Sequence, residues 1–243
     1  IINNYQEIRD HKEVLEKYTP RRVVELVNQG QKPYDKPVEK TIRTVLFTDL
    51  VGFSMLAESL SESDVMELLN IYAGVVTDSI EEHGGEVGKF VGDGIMAHFE
   101  DSQTDGAIQT GLTILSRLHE VRNESLKSVH KLLYCGIGMA RGPVLMGNIG
   151  GKHRKDFTII GDVVNTACNI EAKTRLLNIP LVATQEVYEC SSRSFSLKRQ
   201  GIYGKESRKE GIPIYSPDNL NERYLVSHAE LNKLLKNEYL HES

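Results

Sequence analysis

No apolar run in this chain approaches the ~18 residues that a membrane-spanning helix requires, and no signal peptide is recognisable. The sequence is therefore expected to hold no membrane span. An excess of one charge sign is also missing. Net charge is −5, which argues against a general nucleic-acid-binding surface. Cysteine is scarce: Cys135, Cys168 and Cys190 are odd in number, far apart and fit no metal spacing. They read as reduced thiols in a cytoplasmic setting. His83, His98 and His153 show no metal-ligand spacing either and read as surface or packing residues. Internal repeats and low-complexity segments are absent. What remains is ordinary for a globular protein, 40% hydrophobic and 26% charged residues over 243 positions, enough for one sizeable domain with appendages. The chain opens on Ile1 rather than Met and reads as a piece of something longer.

Three regions follow from the punctuation. Residues 1–40 form a helical segment and linker. "TPRRVVELVNQG" has Thr19 as N-cap, Pro20 at the first helical position and Gly30 as stop, and two prolines mark "QKPYDKPVEK" as a linker. Residues 41–216 form the core. Its expected order is strand 43–48; helix 55–82, with a capping-box-like "SESD" at Ser61–Asp64; strands 86–91 and 94–99; helix 104–122; strands 131–139 and 143–148; a basic loop 150–156; strand 157–160; helix 162–176; strand 181–183; helix 185–190; and strands 195–200 and 212–216. Residues 217–243 form a C-terminal extension with a helix over 219–238. Alternating elements interrupted by hairpins predict an α+β sandwich, with helices on one face of a mainly antiparallel sheet.

Three stretches stand out chemically. In "FTDLVGFS" an apolar strand ends on Asp49 and turns through Gly52. Asp49 could cap the next helix, or it could hold a cation beside a turn that offers N–H groups to phosphate. In "GGEVGKFVGDGIMAHF", Lys89 and Asp93 bracket a Gly-Asp-Gly turn. Asp-Gly is a common hairpin turn. Asp93 also falls at a strand end, as Asp49 does, and two such carboxylates can share divalent cations. In "FTIIGDVVNTACNIEAKT", Asn165 and Asn169 are four apart on a helix whose buried side carries Val163, Val164, Ala167 and Ile170. A solvated Asn pair would look the same.

Together, in this order and spacing, the three stretches resemble the class III nucleotidyl cyclases, the adenylyl and guanylyl cyclases. The resemblance spans residues 41–216. The preamble "HKEVLEKYTPRRVVELVNQG" is similar to the segment before the cyclase domain in bacterial, cyanobacterial and light-regulated members. The resemblance implies a ferredoxin-like core and a homodimer with composite sites, joined to an upstream sensor. Asp49 and Asp93 of one chain would bind two Mg²⁺ or Mn²⁺ ions, and the N–H groups of Val51, Gly52 and Phe53 would hold the triphosphate. Lys89 and Thr158 of the other chain would read the base, and Asn165 would position the ribose. Adenine N1 is an acceptor and its 6-amino group a donor, matching a Lys donor and a Thr hydroxyl acceptor; guanine would want a carboxylate at position 89. ATP is therefore the expected substrate, with cyclic AMP and pyrophosphate as products.

Two positions depart from the family. The transition-state Arg expected four residues after the ribose Asn is Asn169 here, a neutral amide. This keeps open a pseudocyclase that binds nucleotide without turning it over; a guanylyl cyclase is opposed by Lys89. Tyr134 stands where mammalian-type domains carry an Arg. Arg175, six residues past Asn169, matches its helical face poorly. Lys205 and Arg208 are candidates to bind phosphate, and the Gly151–Asp156 loop reads as solvated charge.

Overall fold

The structure is a computed structural model that describes Lys12, Leu15, residues 18–192, 196–204, 211–218, Leu220, Tyr224 and residues 226–239. The elements run α1 (Arg21–Asn28), β1 (Glu39–Leu50), α2 (Phe53–Ser59), α3 (Glu62–Glu82), β2 (Glu86–Val91), β3 (Gly94–Glu100), α4 (Thr104–Glu124), β4 (Cys135–Gly150) and β5 (Lys155–Ile160). They continue as α5 (Asp162–Leu177), β6 (Leu181–Thr184), α6 (Gln185–Glu189), β7 (Leu197–Tyr203), β8 (Ile212–Pro217) and α7 (His228–Leu234), which a π turn extends over Leu235–Tyr239. The strands form one sheet in the order β2-β3-β1-β4-β6-β8-β7, with β5 paired to the outer half of β4. Only the β4–β6 pairing is parallel among the described strands.

The expected α+β class and mainly antiparallel, helix-covered sheet are present, but the helices lie on both faces. β1 reads "RTVLFTDL", apolar on both sides of its pleat. Leu46 joins the cluster under α3 and α4, with Leu68, Tyr72, Phe99, Ile108 and Ile137. Val45, its neighbour, faces the other way, toward Val144, Ile159, Val163 and Ala167 of β4, β5 and α5. A strand buried on both faces carries a continuous apolar run rather than an alternating one.

Some boundaries differ for local reasons. The expected helix 55–82 is two helices, because Ser61 adopts extended backbone and its Oγ accepts the Asp64 N–H at 3.2 Å, starting α3 afresh. Residues 131–132 belong to a 3-10 turn, Ser128–Leu132. The two strands expected over 131–148 are one, because Arg141 and Gly142 stay in register with Thr44 and Arg43 of β1. α1 is capped at Pro20 rather than Thr19, without a side-chain bond. β1 begins at Glu39, inside the expected linker, and the C-terminal helix starts at His228 rather than 219. Most of residues 1–17, with Tyr5, Ile8 and Val14 of the preamble, lie outside the described residues. Among the described residues no helix is long and apolar enough to cross a membrane.

Candidate active site

β1 delivers Asp49 one residue before its end, paired to Gly136 of β4. The β2–β3 hairpin delivers Asp93. Val91 pairs with Gly94, leaving the two-residue turn Gly92-Asp93, and Gly92 has φ 66°. A glycine in the first central position is what a tight hairpin of this kind demands. Asp93 lies near enough to Asp49 to bear on its ionisation. The Asp49 carboxyl is pushed well above the usual carboxylate range, first by burial, then by the hydrogen bond and charge of Asp93 and the charge of Glu171. Asp49 Oδ1 is buried and no donor reaches it.

This donor set suits a hard divalent cation. Two facing carboxylates repel unless something neutralises them, and an orphaned buried acceptor lacks a partner. All-oxygen donors favour Mg²⁺ or Mn²⁺, and Mg²⁺ is commonly held by one or two carboxylates together with substrate phosphates and water. No group of three His, Cys, Asp or Glu side chains able to hold a metal occurs among the described residues, so the pair would rely on such outside oxygens.

The turn after Asp49 is rigidly built. Gly52 caps α2 with φ 71°, a left-handed conformation that favours glycine. A Cβ there would lie 2.8 Å from Leu231 Cδ2, so α7 packs directly over the turn. The Val51 N–H donates to the Tyr134 carbonyl at 2.9 Å. That amide is thus already used, which departs from its expected role toward phosphate. Gly52 and Phe53 open the first turn of α2, where backbone N–H groups lack intrahelical acceptors. The Tyr134 ring lies under the Arg122 guanidinium, 3.9 Å from its centroid, and Arg122 Nη1 donates to the Leu133 carbonyl at 2.5 Å. Tyr134 therefore acts through its backbone, as the strut of the Asp49–Gly52 corner.

Lys89 is exposed on β2, just after a bulge at Gly88, where a Cβ would collide with Met96. Thr158 is 7% exposed on β5, and its Oγ1 is buried without a hydrogen-bond partner. The two come from strands that do not pair with each other. Asn165 and Asn169 share the exposed face of α5, and Asn169 Nδ2 donates to the Asn165 carbonyl at 2.8 Å. Lys205 and Arg208 lie outside the described residues.

Sequence reasoning missed two residues at the carboxylate pair. Arg175 Nη2 donates to Asp49 Oδ2 at 2.9 Å, and its Nη1 donates to Glu171 Oε1 at 2.8 Å. Glu171 is 5% exposed, and burial pushes its carboxyl up to about 7 against the opposing charge of Arg175. The signal was a Glu-x-x-x-Arg pair on α5 facing a strand segment, Cys135-Gly136-Ile137-Gly138, whose glycines leave room for it. Six residues at 100° each put Arg175 about 120° around the helix from Asn169. Its mismatch with the Asn face is real, and it places Arg175 at Asp49 instead.

The chain is 30% identical over 224 residues to the adenylate cyclase of Anabaena cylindrica, covering 87% of this chain and 44% of that protein. It is 29% identical to the photoactivated adenylate cyclase subunit alpha of Euglena gracilis, covering 83% of this chain and 20% of that protein. It thus spans less than half the length of these curated relatives. Its fold matches a bacterial light-regulated adenylyl cyclase with a TM-score of 0.88 and 34% identity, over 98% of this chain and 69% of that one. The carboxylate pair, the Gly52 turn and α5 all lie within residues 34–215, which match the adenylate and guanylate cyclase catalytic domain, and the chain belongs to that family.

Proposed function

We propose that this chain is the catalytic part of an adenylyl cyclase, forming 3′,5′-cyclic AMP and pyrophosphate from ATP in composite sites between two copies. One observation carries the composite site. Arg175, which α5 turns toward Asp49, stands about 80° around the helix from Asn165 and about 120° from Asn169, and both Asn are exposed. A single chain turns its Asn pair away from its own carboxylates; a second copy can bring one to the other. Exposed apolar side chains support the association, with Phe90 at 58% and Val91 at 54% on β2 and Leu145 at 49% and Ile160 at 52% on the β4–β5 arm.

Asp49 and Asp93 would hold Mg²⁺ or Mn²⁺, two per site. Bound there, the ions would acidify the ribose 3′-hydroxyl and neutralise the phosphates. The 3′-oxygen forms the new bond to the α-phosphorus, the α–β bridging bond breaks, pyrophosphate leaves with that electron pair, and the hydroxyl proton passes to solvent. Gly52 and Phe53 would donate N–H groups to the triphosphate, with Val51 contributing the shape of the turn. The partner copy's Lys89 equivalent would donate to adenine N1, and its Thr158 Oγ1 equivalent would accept from the 6-amino group. The unpartnered Thr158 hydroxyl supports this assignment. Asn165 would orient the ribose.

The preamble would act on the same strand that carries Lys89. α1 lines a cleft with β2 that runs from Tyr18 and Arg21 to Lys89 and Phe90. In this reading residues 1–40 connect a sensor to the site and residues 217–243 close the phosphate turn. A second reading, a nucleotide-binding pseudocyclase, is favoured by Asn169 alone, whose amide is spent on its own helix.

Purified chain incubated with ATP or GTP and Mn²⁺ tests the reaction; cyclic AMP from ATP is expected, and bound ATP without product would favour the pseudocyclase. Mixing an Asp49→Ala chain with a Lys89→Ala chain tests the composite site. One of the two heterodimer sites is then intact, so activity should return although each parent is inactive.

A further inference from the structure

We propose that Arg175 is a positioning residue for Asp49, holding that carboxylate so that its free oxygen faces a divalent cation. The inference rests on the cyclase reading of the carboxylate pair and adds to it a basic residue from the same chain. The guanidinium is planar, with its donors in a fixed fork. Two of its nitrogens are taken by two different acids, Asp49 Oδ2 at 2.9 Å and Glu171 Oε1 at 2.8 Å, and these contacts set its plane. Glu171 is itself confined: it is 5% exposed and packed above Gly136, where a Cβ would sit 2.6 Å from its Oε1. Gly136 is also the residue paired to Asp49. The path Gly136–Glu171–Arg175–Asp49 is therefore a closed brace around one carboxylate.

The brace leaves Asp49 Oδ1 buried and without a donor, on the side of the β2–β3 hairpin, where a Cβ at Gly94 would stand 3.4 Å from it. That is the side from which Asp93 arrives. An unbraced carboxylate would rotate and spread its lone pairs over several directions; the braced one presents a single oxygen. Partners of this kind behind a metal ligand typically change metal affinity 10–100-fold.

A simpler role for Arg175 makes the opposite forecast. If it were only a positive charge beside a cation site, removing it would tighten cation binding. If it orients Asp49, removing it weakens binding although a like charge has gone. Mn²⁺ alone, titrated into the chain without nucleotide and followed by the electron paramagnetic resonance of free Mn²⁺, separates the two. Wild type should bind, Asp49→Ala should not, and Arg175→Met should bind about tenfold more weakly. Arg175→Lys keeps the charge but not the fork, and should fall between Met and wild type. Circular dichroism checks that each variant is folded, and the Lys variant decides the matter if the Met variant is not. Mn²⁺ binding in Arg175→Met as tight as wild type or tighter, or wild-type affinity in Arg175→Lys, overturns the positioning role and leaves the cyclase reading standing. A wild-type chain that binds Mn²⁺ no better than Asp49→Ala overturns both.

Discussion

Gly136 stands directly across the β1–β4 ladder from Asp49, and the space its missing side chain leaves is filled by Thr174 and Glu171 of α5. A methyl group there would collide with the Thr174 hydroxyl and lie 2.6 Å from Glu171 Oε1. Gly136→Ala should therefore lift α5 from the sheet and cost ~1–3 kcal/mol of stability, the usual range for overpacking. Activity should fall further than stability, because the Arg175 contact to Asp49 moves with the helix. Chemical denaturation and cyclase assays on the same preparation measure both. An alanine variant with unchanged activity would show that the helix need not sit so close.

Removing either carboxylate of the Asp49–Asp93 pair should abolish turnover while the fold persists. Asp49→Asn goes further. Burial and Asp93 hold the Asp49 carboxyl above its ordinary value, so in the metal-free chain the charged form is the costly one. That raised value contributes stability at low pH, which is lost as pH rises past the ordinary carboxylate range. The metal-free Asn variant should lack this decline and melt no lower than wild type at neutral pH. It should also lose the Mn²⁺-induced rise in melting temperature expected of wild type. Thermal melts with and without Mn²⁺ test both halves.

Asn169→Arg should raise kcat with little change in KM. A charge at this position meets negative charge that grows only in the transition state. It would also free the Asn165 carbonyl from the contact that Asn169 now makes. A gain on the order of 10-fold is expected, below the full effect of an oxyanion donor because bound metal ions would carry much of the electrostatics. Steady-state kinetics decide; an unchanged kcat would return attention to Arg175, Lys205 and Arg208.

His98 supplies a pH dependence of the opposite sign to Asp49. It is buried on β3 near Arg43, and burial, then the Arg43 charge, push it down to about 4 from an ordinary 6.5. The unfolded chain therefore binds the extra proton first. The neutral imidazole's contribution is complete above pH 6.5 and is lost as pH falls toward 4, amounting to about 3 kcal/mol. His98→Gln should flatten the stability profile between those limits. Denaturant midpoints of variant and wild type at pH 7 and pH 4.5, with Mn²⁺ held constant, give the difference.

Inserting one residue near Pro37 should change activity far more than stability. α1 rests on β2, which also carries Lys89, and a displacement of ~1 Å at a reacting centre can cost ~10²-fold in rate. Indifference to the insertion would make residues 1–40 a tether.

The elements most legible in the sequence were those set by short-range chemistry. The Asp49 strand end, the Gly92-Asp93 hairpin and the Ser61 cap each declare themselves within a few residues. Periodicity carried α4 and α5 to within two residues of their ends. What escaped depends on distant contacts. Periodicity alone ran α2 and α3 together. The unbroken β4 needs its pairing to β1, and the helices on both faces follow from packing around β1. The committed Val51 amide could not be read either, since Tyr134 arrives from far along the chain. Arg175 was dismissed by comparison with Asn169, the wrong reference. Its partner is 126 residues away in Asp49, brought near because Gly136 and Gly138 let α5 settle onto β4.

Leu231 closing over Gly52 also sets an order of events during synthesis. The turn at Gly52 is translated well before its roof at Leu231. At ~5–20 residues per second the turn would stay uncovered for roughly 10–40 s after it is made. A chain cut short before His228 would carry Asp49, Asp93, both Asn residues and Lys89, yet lack the contact that shapes the turn at Gly52. Synthesis through Leu231 thereby becomes a condition for the shaped turn at Gly52.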